Sequence, residues 1–492
     1  MNFVSLLRGI VRRFPDKEAL VDRGRRFSFH EFWRQIGALA NVYRSLGVET
    51  GDRVLLVLPN GAEFLSFHFA ALKIGAASVP VNAAYRSWEV GKIVTDCRPR
   101  LLISNDVWLG ENGPAMEPRL NGICVLSVDR LKYSLEDRDD GVLSLPSGAT
   151  ASINYSYFGG GSSRGAVLTH GNHIYAATGY SRHQGFTVSD RFLITLPMAH
   201  VYALSGCVNS GLIRGCTLVI IHRHTPKAIF SAIEEHAITV LSAVPVVFDY
   251  LSHFPQRDRY DRSSLRLCVT GGDYMPAAVQ DQFEVALGAP IVQGYGLTEC
   301  LPVICNPPSG LNKRGTLGIP GRKDIKLRIV GPTGDSLAPG EVGEIAVRSP
   351  TTMSGYFGKP RETAEVLRGG WLYTGDWGWL DQDGYLHFSG LRKKILNVHG
   401  NKVDPLEVAN CFLSHPAIAD AEVTATPVTD GRSEQALEIR AKIKLKEGES
   451  ATEEELRAFL RQRLAAYKVP TRIWLRTPSE TVQTALPVPS EV

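Results

Sequence analysis

At 492 residues the chain is too long for one ordinary domain, and 44% hydrophobic with 21% charged residues marks a folded multidomain protein and excludes a disordered one. A net charge of +4 spread over that length makes no field that would argue for nucleic acid or an anionic membrane as partner. The eight cysteines (Cys97, Cys124, Cys207, Cys216, Cys268, Cys300, Cys305, Cys411) lack CxxC spacing, so buried free thiols in a cytoplasmic, reducing compartment are expected.

The chain opens with Leu6, Leu7, Ile10, Val11 and Phe14 at helical spacing, with arginines between them. That predicts an amphipathic surface helix and not a signal peptide. No apolar run approaches the ~20 residues of a membrane span. Ser28-Phe29-His30-Glu31 is a capping box for a helix closing at Leu46-Gly47, and Val54 to Leu58 reads as a buried strand. A helix from Phe64 to Ile74 leads to Gly75 and the strand Ser78 to Val81. Further strands are predicted at 192–196, 217–221, 239–244, 265–269 and 290–293, mostly with helical segments between them. Alternation of this kind predicts an α/β fold with largely parallel, helix-covered sheets.

From about Gly315 short Gly/Pro-bounded strands, including Lys326 to Val330 and Glu344 to Arg348, predict a small β-subdomain. A boundary near Gly390 divides a large domain, 1–390, from a small α+β domain, 391–492. The latter holds a helix at Pro405 to Leu413, a strand at Leu437 to Leu445, a helix capped by Thr452 and a last strand at Ile473 to Leu475.

Four segments carry candidate chemistry. Tyr155 to Gly165 contains Gly159, Gly160, Gly161, Ser162, Ser163, Arg164 and Gly165, in which consecutive glycines let backbone N–H groups converge on an anion and Arg164 adds charge. It is neither GxGxxG nor Walker A, and a flexible loop is the plain alternative. Gln293 to Glu299 ends a strand with Tyr295, Gly296, Thr298 and a carboxylate able to meet Mg²⁺ together with phosphate oxygens; a turn with a solvated glutamate is the alternative. In Gly370 to Gly378, Asp376 lies close to glycines and could accept ribose hydroxyls or form an Asx-turn. Ser389 to Val403 carries Arg392-Lys393-Lys394 at the joint between domains.

The order and spacing of these segments resemble the adenylate-forming superfamily of acyl-CoA synthetases, amino-acid adenylation domains and luciferases, over nearly the whole chain. Leu72 to Ala76 with Val79 to Asn82 is similar to an early family motif, and Leu196-Pro197-Met198-Ala199-His200 to the segment presenting a pocket histidine. Tyr295-Gly296-Leu297-Thr298-Glu299 matches Tyr-Gly-x-Thr-Glu, Thr374-Gly375-Asp376 the ribose motif, and Gly400 with Pro405-Leu406-Glu407 the segment after the hinge. The resemblance implies a carboxylate attacking the ATP α-phosphate to give acyl-AMP and pyrophosphate, followed by acyl transfer to CoA, a carrier-protein thiol or an amine. It implies Glu299 as Mg²⁺ ligand, Thr298 and Arg164 as phosphate contacts, Asp376 as ribose ligand and Lys393 as hinge. His200 then lines the acid pocket with Val244, Val247, Thr270, Gly271, Gly272 and Tyr295, whose small or apolar character favours an aliphatic or aryl acid over an amino acid.

Three positions depart from the pattern. Where the family reads Thr-Ser-Gly-Thr-Thr-Gly-x-Pro-Lys-Gly, this chain reads Ser156 to Gly165, with Gly159 and Gly160 in place of two hydroxyls and Arg164 in place of lysine. Leu391 stands where a nucleotide-contacting arginine is expected, with Arg392 one residue later. No glycine follows Gly448 and no lysine follows Lys468, so the family's C-terminal Gly-Lys has no counterpart in these residues. The expected function is an AMP-forming acid ligase using ATP, Mg²⁺ and CoA or an acyl carrier. The alternatives are a catalytically impaired homologue that binds nucleotide, acyl-adenylate or a partner, and transfer from preformed acyl-adenylate alone.

Overall fold

A computed structural model describes residues 1–135, 141–157, 163–302, 304–391, 396–398, 401–427 and 437–476. These form two compact units, the first running to Leu391 and the second beginning at Leu396. Among them no helix is long and apolar enough to cross a membrane.

The first unit holds two large sheets. In the six-stranded sheet, Cys124–Ser127, Leu101–Ser104, Arg53–Leu58, Ala77–Asn82 and Thr150–Tyr157 lie side by side in parallel, and Ser163–Thr169 closes the edge antiparallel to Thr150–Tyr157. In the nine-stranded sheet, Ile291–Tyr295, Leu267–Thr270, Val240–Ala243, Arg191–Ile194, Thr217–Ile220 and Glu18–Asp22 run parallel between antiparallel edges. Burial on both faces explains their near-continuous apolar sequences, such as the fully buried Leu267–Thr270.

Local signals set the helices. The Ser28 hydroxyl accepts from the Glu31 N–H at 3.1 Å and the Glu31 carboxylate accepts from the Ser28 N–H at 2.7 Å, starting the helix Phe29–Ser45. The predicted N-terminal helix is Phe3–Arg13, with Phe3, Val4, Leu7 and Val11 buried against the main core. The helix Ala62–Ile74 is buried nearly all round, including Lys73, and stops at Gly75 in the left-handed conformation.

A five-stranded antiparallel sheet of Lys326–Val330, Gly343–Arg348, Trp371–Leu380, Leu367–Arg368 and Leu386–Leu391 forms the β-subdomain. The second unit is α+β: Ile418–Pro427, Leu437–Leu445 and Arg472–Arg476 make one sheet beside the helices Pro405–Leu413 and Glu453–Arg461. Lys468, fully buried, pairs there with Glu407 at 2.8 Å.

Candidate active site

The strand Ile291–Tyr295 delivers its tyrosine at the sheet's C-terminal edge, where open α/β sheets place ligands. Beyond it the backbone turns sharply at Gly296, where an added Cβ would lie 2.6 Å from Pro302 Cα, so only glycine fits. The Leu297 N–H then bonds the Cys300 carbonyl at 2.9 Å, and the Met353 N–H bonds the Glu299 carbonyl at 2.8 Å. Thr298 and Glu299 are thereby fixed on a short, pinned loop, with Thr298 half-buried and Glu299 buried.

Two hydroxyls from distant segments reach one oxygen of that carboxylate. Ser156 Oγ donates to Glu299 Oε1 at 2.6 Å and Tyr356 Oη donates to the same atom at 2.9 Å. Burial, reinforced by the Glu299 charge, holds the Tyr356 phenol far above its usual range, so it stays a donor. The same ring lies under the Arg164 guanidinium, 5.4 Å from its centroid. Backbone bonds lock the group: Phe357 N–H to the Gly165 carbonyl at 2.8 Å, Val167 N–H to Gly355 at 2.9 Å and Ser354 N–H to Val167 at 2.9 Å. Neither Ser156 nor Tyr356 was singled out in sequence as a partner of Glu299.

Asp376 occupies the interior of the strand Trp371–Leu380, 8% exposed. Its Oδ2 accepts from the Tyr295 hydroxyl at 2.7 Å and its N–H bonds Thr374 Oγ1 at 3.1 Å. Burial, then the Asp376 charge, raises the Tyr295 phenol well above its ordinary value. Leu391 is the cross-strand partner of Asp376. The position that departs from the family pattern therefore sits directly beside the candidate ribose ligand.

The apolar pocket residues gather a short distance along the same edge. Val244 clusters with Leu196, Ala203 and Val246, with Tyr202 and Val247 packed against them. Thr270 ends its strand beside Gln293. Thr270 Oγ1 and Gln293 Oε1 are buried without a hydrogen-bond partner among the described residues, the kind of deficit that a bound ligand commonly explains. Gly271 is buried and Gly272 exposed, and His200 is an exposed residue at the start of the helical segment that carries Tyr202. Ser163 opens the strand Ser163–Thr169 next to Arg164. Gly159, Gly160, Gly161, Ser162, Arg392 and Lys393 lie outside the described residues.

A basic cleft adjoins this site. A cavity of about 760 Å³ is lined by Arg53, Lys92, Arg98 and Arg119 together with Phe357 and Gly358, which follow Tyr356 directly. A neighbouring one of about 450 Å³ shares Arg53, Arg98 and Arg119 and adds Arg100. Arg53 spends its guanidinium on the Cys97 and Arg98 carbonyls, and Asp96 is neutralised by Lys359 at 2.9 Å. Asp52 also lines the second cavity, 3.8 Å from Arg53, and arginine and lysine side chains still outnumber the two carboxylates of the linings, which gives them a net positive character.

Among the described residues no group of three or more His, Cys, Asp or Glu side chains converges to hold an ion by itself. Mg²⁺ characteristically takes one or two carboxylates and fills the rest of its shell with water and substrate phosphates, and Glu299 is the buried carboxylate here that could supply one.

Parallel helix-covered sheets followed by a separate C-terminal domain are the architecture of adenylate-forming enzymes. A family model described as AMP-binding enzyme matches residues 7–357, and the chain belongs to that family. It is 30% identical to a long-chain-fatty-acid–CoA ligase of Bacillus subtilis (strain 168), over 95% of this chain and 89% of the relative. It is 31% identical to a feruloyl-CoA synthase of an Amycolatopsis species, over 94% and 92%. Among solved structures it is similar to a double mutant of o-succinylbenzoate CoA synthetase (MenE) from Bacillus subtilis bound to a product analogue, with a TM-score of 0.84, 25% identity and coverage of 96% and 94%.

Proposed function

We propose that the protein is an AMP-forming acid–CoA ligase that activates an aliphatic or aryl carboxylate. The observation that carries the reading is the convergence of Ser156, Tyr356 and Glu299 beside Arg164, with the Tyr295–Asp376 pair on the same edge. In this reading residues 1–390 are the adenylation domain and 391–492 the lid that swings about Lys393.

Asp376, oriented by Tyr295, accepts the ribose hydroxyls. Arg164 and Thr298 meet the phosphates, with Gly159 to Ser163 and Gly165 supplying the loop around them. Glu299 would hold Mg²⁺, which would offset phosphate charge. The carboxylate oxygen bonds the α-phosphorus as the bond to pyrophosphate breaks. The acceptor then attacks the acyl carbon and AMP leaves. A preorganised charged site of this kind lowers the barrier because its groups need no rearrangement as charge shifts.

The basic cleft favours CoA over an amine or a carrier protein as acceptor, because a small phosphorylated thiol matches its size and sign. Incubation with ATP, Mg²⁺, CoA and a panel of fatty and aryl acids, read by mass spectrometry, tests the assignment. Acyl-CoA and AMP appearing together support it. AMP release without thioester moves the acceptor to an amine. Nucleotide binding without acid-dependent AMP rejects ligase activity.

A further inference from the structure

We infer that Asp96 is a positioning residue for Glu299: this one carboxylate, outside all four segments that carry the candidate chemistry, braces both of the hydroxyls that orient the Glu299 side chain. The inference rests on the ligase reading for what Glu299 does, and on side-chain geometry for how Asp96 reaches it.

Asp96 lies in the last turn of the helix Ser87–Cys97, which connects the strands Ala77–Asn82 and Leu101–Ser104 of the six-stranded sheet. Its two oxygens serve different parts of the chain. Oδ2 accepts from the Tyr155 hydroxyl at 2.7 Å, and Oδ1 pairs with the Lys359 ammonium at 2.9 Å. Each partner is a short step from a donor to Glu299. Tyr155 precedes Ser156 in the strand Thr150–Tyr157, and Lys359 follows Tyr356 in a turn that its own N–H closes on the Tyr356 carbonyl at 3.1 Å. Ser156 and Tyr356 then meet at Glu299 Oε1, at 2.6 and 2.9 Å. Asp96, Tyr155–Ser156, Glu299 and Tyr356–Lys359 therefore form a closed circuit.

The circuit has little slack. Tyr155 faces Gly165 across the strand pair, and a Cβ added at Gly165 would meet Ile153 Cγ2 at 2.7 Å and Tyr155 Cζ at 3.1 Å, so the aromatic ring takes the space of a side chain there. Burial raises the Tyr155 phenol above its ordinary value, which keeps it a neutral donor. On the other arm, Thr363 Oγ1 accepts from the Tyr356 N–H at 2.8 Å and donates to the Lys359 carbonyl at 2.7 Å, tying the turn at both ends. Bonds to an ionised carboxylate are stronger than neutral ones, so losing Asp96 loosens both arms together.

The test is the Mg²⁺ concentration at half-maximal ATP binding, measured by calorimetry on the full chain beside its denaturant midpoint. Asp96→Ala should raise that concentration about fivefold or more, the worth of at least one orienting hydrogen bond. Asp96→Asn keeps the shape and an acceptor for Tyr155 but loses the charge facing Lys359, so it should shift the value by less, and it keeps the inference testable if the alanine variant fails to fold. In a Tyr356→Phe background either substitution should add less than it does alone, because one of the two donors that Asp96 braces is already gone, and side chains acting through a shared partner are non-additive. A merely stabilising ion pair would instead lower the denaturant midpoint and leave the metal requirement where it was. An unchanged metal requirement in the Asp96 variants that fold, or full additivity with Tyr356→Phe, would overturn the inference. A wild type that binds no ATP at any Mg²⁺ concentration would overturn the ligase reading, and this inference with it.

Discussion

The Tyr295 hydroxyl donates to Asp376 Oδ2 at 2.7 Å, joining the end of a parallel strand in the large sheet to the interior of an antiparallel strand in the β-subdomain. One residue ends the strand that leads into Gly-Leu-Thr-Glu and the other is the candidate ribose ligand, so the bond ties two candidate site segments together across two sheets.

Breaking that joint should weaken nucleotide binding in two grades. Asp376→Ala removes the acceptor of the ribose hydroxyls, and hydrogen bonds to a charged group are worth roughly 1.5–3 kcal/mol each, so ATP affinity should fall by about tenfold to a hundredfold. Tyr295→Phe removes one orienting bond and should cost about 1 kcal/mol, or roughly fivefold. Calorimetric titration with ATP measures both, and equal affinity in Asp376→Ala and wild type would dismiss the ribose role.

Glu299 is held by Ser156 and Tyr356 at one oxygen. Tyr356→Phe keeps the ring beneath Arg164 but leaves the carboxylate oriented by Ser156 alone, so the Mg²⁺ concentration at half-maximal ATP binding should rise about fivefold, the worth of one hydrogen bond, while ATP binding measured without metal changes little. Tyr356→Leu removes the ring as well and should weaken both. A Phe variant with an unshifted metal midpoint would show that Tyr356 only fills space.

The first unit should be acid-labile. His68, His170 and His173 are buried, with pKa values pushed down to about 3, about 4 and about 3, by burial first. His68 Nδ1 and His173 Nε2 meet Ser78 and Ser152 hydroxyls at 2.9 Å each, and the Phe3 N–H donates to His170 Nδ1 at 3.2 Å. Below the ordinary imidazole value of about 6.5 the unfolded chain takes up protons that the fold refuses. Stability is therefore full above about pH 6.5 and falls as pH drops toward 4, by roughly 2 kcal/mol per histidine at pH 5. Denaturant midpoints between pH 7.5 and 5 measure the slope, and His68→Gln should reduce it by about one proton. A flat profile would contradict the neutral buried triad.

Lys468 pairs with Glu407, both essentially inaccessible to solvent. Glu407→Ala leaves that ammonium buried without its carboxylate and should destabilise the C-terminal unit by about 3–5 kcal/mol. Chemical denaturation followed at Trp474, the tryptophan of that unit, reports it. Near-unchanged stability would mean that the pair contributes little.

Much of the scaffold was legible in sequence because it is written locally. The Ser28 capping box, the apolar strand runs and the Pro405 to Leu413 helix each carry their signal within a dozen residues, and the structure places them within a few residues of the expected bounds. The free cysteines also stand as expected, seven of the eight being buried. What local pattern could not give was long-range pairing. Ser156 and Tyr356 lie 143 and 57 residues from Glu299, and only the fold brings their hydroxyls to one oxygen. The segment Tyr202–Asn209 was hidden for another reason: its π-helical turns follow neither the 3.6-residue nor the two-residue period by which elements are read. Asp376 read equally as an Asx-turn or a ligand, and the structure sets it inside the strand Trp371–Leu380 with its Oδ2 accepting from Tyr295, a pairing no local pattern announced.

The central claim is that Glu299 and its neighbours support acid activation through an acyl-adenylate. Acid-dependent exchange of radiolabelled pyrophosphate into ATP tests it most directly, comparing wild type with Glu299→Gln. The account predicts exchange with at least one aliphatic or aryl acid, reduced about 10²–10³-fold in the variant, the typical cost of losing one charge-stabilising group. Wild-type exchange with none of the acids, or exchange that survives Glu299→Gln undiminished, would contradict it.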